Sequence, residues 1–254
     1  MLQIVRKLES FRIGATDGEI GNLHDVLFDD EFWTVRYLVV DTGNWLPGRK
    51  VVIPPDKVSL RSHKDNVIPV DLTREKIKAS PPLEAERPVS RQHQIDLYAY
   101  YGWPVYWGGG MGPAAPYPYV PLMGAMTGSE PAALATEEEE PRREDDPHLR
   151  SAREVTGYHV EAIDGGIGHV EDFIVDDETW QVRYLIVDTK NWLPGRKVLI
   201  APLWLHRFDW IAQKAYLDLD KEQIRNSPPY EEHVDLTRSR EEEIYDYYGK
   251  PRYW

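Results

Sequence analysis

The stretch DGEIGNLHDVLFDDEFWTVRYLVVDTGNWLPGRKVVI, residues 17–53, recurs 147 positions later as DGGIGHVEDFIVDDETWQVRYLIVDTKNWLPGRKVLI, residues 164–200. Twenty-five of these 37 paired positions are identical, so one fold must serve both stretches. Period-two alternation and an abundance of β-branched and aromatic residues predict half-buried antiparallel strands. Phe11 and Ile13 open a strand that ends at the hairpin dipeptide Asp17-Gly18. Ile20, Leu23, Val26 and Phe28 carry the next, with Gly21 read as a bulge or a point of close backbone approach. Asp29-Asp30-Glu31 is a turn. Val35, Tyr37 and Val39 then alternate with Arg36, Leu38 and Val40 in a third strand, covered on both faces for part of its length. Pro47-Gly48 supplies the backbone angles of a type II turn before Val51 to Ile53 run back. Weaker strands are expected over 58–60 and 67–70. The short connections predict a meander that closes into a small barrel and so removes its exposed edges.

Outward from this block the repeat runs without a gap over 1–107 and 148–254, with 45 identities in 107 pairs, which makes the chain a duplication. Two short helices are expected after each barrel. Thr73 and Asp220 are N-cap residues before REKIKAS and KEQIRNS, each stopped by a Pro-Pro pair. A second helix runs from about Ser90 or Thr237 to Tyr101 or Tyr248, with Gly102 or Gly249 following. Residues 108–147 are read as a Pro/Gly-rich acidic linker: Trp103 to Ser129 holds five prolines and six glycines, and EEEE and EDD runs follow. The domains are therefore 1–107, 108–147 and 148–254, and the two copies are expected to fold alike and independently.

The net charge of −13 divides as −1, −6 and −6 over these three pieces, which disfavours a broad phosphate-binding surface and hence nucleic acid as a partner. The absence of cysteine excludes disulfides, thiolate metal sites and a cysteine nucleophile. Arg6, Lys7 and Glu9 precede any apolar run, so no secretory leader is expected, no transmembrane segment is read, and the expected location is cytoplasmic.

None of the eight histidines keeps its place in both copies: His24 faces Glu171, His63 faces Trp210, His159 faces Arg12 and His169 faces Asn22. A duplicated histidine site is thereby excluded, and no nucleophile elbow or phosphate-binding glycine pattern occurs. The acidic turns Asp25, Asp29, Asp30, Glu31 and Asp172, Asp176, Asp177, Glu178 lack the alternating register that wraps calcium, and they are read as solvated hairpin tips. No catalytic residue, metal or cofactor is assigned. The closing motifs YAYYGWPVYW and YDYYGKPRYW are read as aromatic packing. In the hairpin T-x-N-W-L-P-G-R-K, turn and alternation do not demand Trp45, Arg49 and Lys50, or Trp192, Arg196 and Lys197. An indole and a guanidinium beside one turn suit a partner-binding surface; otherwise each tryptophan covers its own barrel and each arginine pairs with Asp41 or Asp188.

The series D-G-x-I-G, V-R-Y-L-[VI]-V-D and W-L-P-G-R-K-V-[VL]-I resembles the PRC-barrel family over residues 8–72 and 155–219. That family includes the cytoplasmic domain of the photosynthetic reaction centre H subunit, with similar barrels in ribosome maturation factors and small stress-associated bacterial proteins. The resemblance implies two small antiparallel β-barrels used for binding and assembly, with no catalytic residues to carry over. The expected function is a non-enzymatic scaffold binding a protein partner or a second copy of itself, in bacterial stress physiology. The alternative is a soluble H-subunit-like assembly or electron-transport-associated factor.

Overall fold

The computed structural model describes residues 1–62, 66–81, 91–102, 148–189 and 196–254. The linker expected at 108–147 and the predicted site residue Trp192 lie outside them. The first copy contains β1 (Leu2–Ile4), α1 (Val5–Glu9), β2 (Arg12–Ala15), β3 (Gly18–Asp29), β4 (Thr34–Asp41), β5 (Lys50–Ile53), β6 (Val67–Pro69), α2 (Arg74–Lys78) and α3 (Arg91–Tyr101). The second contains β7 (Leu149–Ser151), α4 (Ala152–Val155), β8 (His159–Ala162), β9 (Gly165–Asp176), β10 (Val182–Asp188), β11 (Lys197–Ile200), β12 (Leu205–Asp209), β13 (Lys214–Leu217), α5 (Lys221–Asn226) and α6 (Arg238–Tyr248).

The runs β5-β4-β3-β2 and β11-β10-β9-β8 are the meander read from the sequence, with β6 and the β13-β12 pair added beyond β2 and β8; the strand expected over 58–60 is reduced to a Val58–Val70 bridge and a 3-10 turn at Leu60–Ser62. One pair in each copy, β2 with β6 and β8 with β13, is parallel. The cause is the connection after β5 and β11. A 3-10 turn at Pro55–Lys57 or Pro202–Trp204 carries the chain across the barrel end, so the last strand enters alongside the first. Each core is filled from β4 or β10, whose central residues face packed layers on both sides: Tyr37, Leu38 and Val40, and Tyr184, Leu185 and Ile186, are all buried.

The helices stop and start where local chemistry requires. Thr73 Oγ1 accepts from the Lys76 N–H at 3.2 Å, Asp220 and Gln223 form a capping box, and Gly249 closes α6 in the left-handed region. Gly21 (φ +149) and Gly168 (φ +154) are points of close approach: a Cβ there would stand 1.9 Å from the carbonyl oxygen of Asp41 or Asp188.

The first elements of each copy, not among the elements expected from the sequence, tie the two copies together. β1 pairs antiparallel with β9 of the other copy (Leu2 with Asp176, Ile4 with Ile174), and β7 pairs in the same register with β3 (Leu149 with Asp29, Ser151 with Leu27). The copies thus exchange their first strands about a pseudo-two-fold axis, and each half-strand that would be an edge is covered. The helices α1 and α4 follow at once and bury Val5, Leu8, Ala152 and Val155 across both β3 and β9.

Candidate functional site at the junction of the copies

Where β4 and β10 begin, the two copies meet directly. Trp33 and Trp180 stand at φ +54 and +56, a region that costs a bulky residue about 1–2 kcal/mol. The twist turns each carbonyl across the junction, where Trp33 accepts from the Val182 N–H at 2.7 Å and Trp180 from the Val35 N–H at 2.8 Å. Phe28 stacks on Trp33 at 5.3 Å and touches Phe173 of the other copy at 5.5 Å, so an apolar seam runs through the axis.

The acidic clusters expected as solvated tips are largely committed to this junction. Asp25 accepts from the backbone N–H of Arg153 at 3.2 Å and from Ser151 Oγ at 2.5 Å, fixing the start of the other copy's helix. Asp172 does the same for α1 through the Arg6 N–H at 3.2 Å. Ile4 stands where Ser151 stands, however, so Asp172 Oδ2 has no hydrogen bond and only Arg6 Nε at 3.6 Å. Burial therefore pushes the Asp172 carboxyl up from 3.8 to about 6, against the N–H groups of Phe173 and Arg6. The native state then holds a proton on Asp172 that the unfolded chain releases near pH 4. Its contribution is greatest below about pH 4, falls as pH rises to about 6, and is flat above, a swing on the order of 2–3 kcal/mol. Asp172→Asn keeps the Oδ1 acceptor and cannot titrate. Urea unfolding of both proteins at pH 7.5 and 5 should show the wild type gaining on the variant as pH falls; a pH-independent gap between them would refute the assignment.

Asp29 binds Arg36 Nε at 2.6 Å within its own copy, whereas Asp30 bridges to His148 Nδ1 at 2.9 Å and Arg150 Nε at 2.8 Å. On the opposite side of the axis Asp177 takes the amino group of Met1 together with Arg61 at 3.1 Å, and Arg61 also reaches Glu178 at 2.5 Å. The two sides then diverge. Phe208 occupies the place of Arg61, and instead of an ion-paired plug there is an open cleft of about 470 Å³ lined by Trp33, Phe208, Trp210, Arg150, Arg207 and Asp30 among others. Phe208 stacks on Trp210 at 4.2 Å, with the Arg150 guanidinium 4.2 Å over the indole. Leu203 and Ile211, each next in sequence to a lining residue, are 79% and 98% exposed. Sequence reasoning missed this cleft. Its only signal is that 56–70 and 203–217 share no identity.

None of the described hairpin residues lines the cleft. Trp45 is half-buried against the core with Arg74 4.9 Å over its ring. Arg49 donates to the carbonyls of Lys78 (2.8 Å) and Ser80, and Arg196 to that of Ser227. These arginines tie the hairpin to the end of the short helix rather than to Asp41 or Asp188. Lys50 meets His24 at 2.8 Å, and Lys197 meets Glu171 and Glu232. Among the closing aromatics, Tyr245 and Tyr101 are buried, while Trp254 is 42% exposed with Arg238 4.2 Å over its ring.

A search of curated proteins finds no match. The PRC-barrel domain family matches residues 7–77 and 148–224, well over half of the chain and both copies of the barrel. With the repeated meander and the repeated signature, the chain belongs to the PRC-barrel family and carries that domain in tandem.

Proposed function

We propose that this protein is a non-enzymatic scaffold in which two PRC barrels, locked by strand exchange, present one asymmetric cleft to a protein partner. The observation that carries the reading is the divergence at the axis. One side is plugged by Arg61 and its carboxylates, while the other opens a cleft over stacked Phe208 and Trp210, with exposed Leu203 and Ile211 next in sequence to the lining residues Pro202 and Trp210. Exposed apolar residues that adjoin, in sequence, residues lining an aromatic cleft are costly in water and suit an apolar anchor on a partner's loop or extended segment. The resemblance to small stress-associated barrels supports a role in bacterial stress physiology.

Affinity capture from the native host, read by mass spectrometry, tests this with the double variant Leu203→Asp, Ile211→Asp beside the wild type. Both side chains are exposed, so the melting transition should move by no more than about 0.5 kcal/mol. The proteins retained by the wild type should be lost. Equal recovery with both baits would remove the cleft as the interface, and recovery of photosynthetic reaction-centre subunits would replace the stress reading with an H-subunit-like assembly role.

A further inference from the structure

In the second copy, two cations and two carboxylates close a ring. Lys197 Nζ lies 2.8 Å from Glu171 and 2.6 Å from Glu232, and Arg6 Nη2 lies 3.2 Å from each. The duplication gives this ring a counterpart whose charges do not cancel. Lys50 stands for Lys197 and Arg153 for Arg6, so both cations are kept. His24 stands for Glu171, and Ala85, outside the described residues, aligns in sequence with Glu232. Both acidic members are thus absent from the first copy.

What remains is a set of donors. Lys50 Nζ donates to His24 Nε2 at 2.8 Å, which makes the imidazole neutral with its proton on Nδ1. Nδ1 lies 3.4 Å from Arg153 Nη1, two donors side by side, and that guanidinium turns to the His24 carbonyl at 3.1 Å. Desolvation, with Lys50 and Arg153 beside it, holds the His24 pKa below the usual histidine value. Among the described residues no neighbouring carboxylate neutralises the pair: Asp25 is held by Ser151 and backbone N–H groups, Asp41 accepts from Gly43, and Glu9 acts on Arg153 through space only. Among the described residues neither Lys50 nor Arg153 has an ion-pair partner.

We propose that Lys50, Arg153 and the Nδ1–H of His24 form a binding site for paired carboxylates, a chemistry that the second copy supplies to the same cations from Glu171 and Glu232. None of the three residues lines the aromatic cleft, and the site goes beyond the scaffold reading, since its residues are not those whose substitution tests that reading. The source of the carboxylates is either a free dicarboxylate or the acidic side chains of a peptide.

The experiment follows the His24 ring by NMR in the full-length protein at constant ionic strength, with succinate, a tetraglutamate peptide or inorganic phosphate added. A bound carboxylate favours the imidazolium, so the His24 midpoint should rise, with succinate acting at concentrations on the order of millimolar. Lys50→Met, which keeps the aliphatic stem, and Arg153→Gln should each weaken the response about tenfold. His24→Glu restores the second copy's carboxylate. It should raise the melting temperature and abolish binding, which for this variant is read from the Lys50 and Arg153 side-chain resonances. A response to tetraglutamate at lower concentration than to succinate assigns the peptide source, and the reverse assigns the free acid; either supports the site. No response to either carboxylate, a response to phosphate alone, or one that survives Lys50→Met and Arg153→Gln would overturn it.

Discussion

Purified apart, residues 1–107 and 148–254 are expected to be unstable as monomers and to melt cooperatively only once paired, with each other or with a second copy of themselves. Each fragment retains its own first strand and helix but loses the copy on which they dock. Among the described residues β1 pairs only with β9, and β7 only with β3. Val5 and Leu8 of the first fragment are 4% exposed in the intact chain, and re-exposing that pair costs about 3–6 kcal/mol by area bookkeeping, with Val155, 0% exposed, adding about 1.5–3 kcal/mol in the second. The first of these is comparable to the whole stability of a small domain. The uncovered half-strands are also paired templates in identical register, so each fragment alone should form a homodimer that repeats the pseudo-two-fold exchange. Analytical ultracentrifugation with thermal melts decides the matter. Two sharply melting monomers would show that the exchanged strands contribute little and that the barrels are independent after all.

What the sequence made legible is local or repeated. The turn at Asp17-Gly18, the cap at Thr73 and the left-handed stop at Gly249 are set by residues within a few positions of each other, and periodicity alone identifies β3 and β4. Leu2 to Ile4 is too short to show a period, and its partner lies about 170 residues away, so nothing in its neighbourhood announces a strand. Arg49 was legible as conspicuous but not as to purpose: its acceptors are the carbonyls of Lys78 and Ser80, and a backbone carbonyl leaves no mark in sequence. Asp25 and Asp172 belong to the identical block, yet proximity to a turn suggested solvent when the structure spends them on the other copy's helix. The cleft depends on what the copies do not share, Phe208 against Arg61, and so leaves no mark in the repeated signature.

Gly21→Ala and Gly168→Ala should be the most damaging single substitutions outside the large core side chains. At both positions the Cβ would meet a carbonyl oxygen at 1.9 Å, and the oxygen belongs to the backbone of β4 or β10, which cannot turn aside as a side chain would. Relief requires the end of that strand to lift off β3 or β9, and with it the hairpin that Thr42 and Thr189 pin through their hydroxyls. Strain at the positive φ and overpacking against the strand each contribute about 1–3 kcal/mol, giving a loss of about 4 kcal/mol per substitution. Gly43→Ala separates the two causes. Its φ of +49 is also unfavourable for alanine, but nothing lies within 4 Å of the added methyl, so it should cost only about 1–2 kcal/mol. Denaturant melts of the three variants test the ordering. If Gly43→Ala is as destabilising as Gly21→Ala, backbone angle alone sets the requirement, and the close crossing of strands that shapes each barrel is not what the glycine of D-G-x-I-G protects.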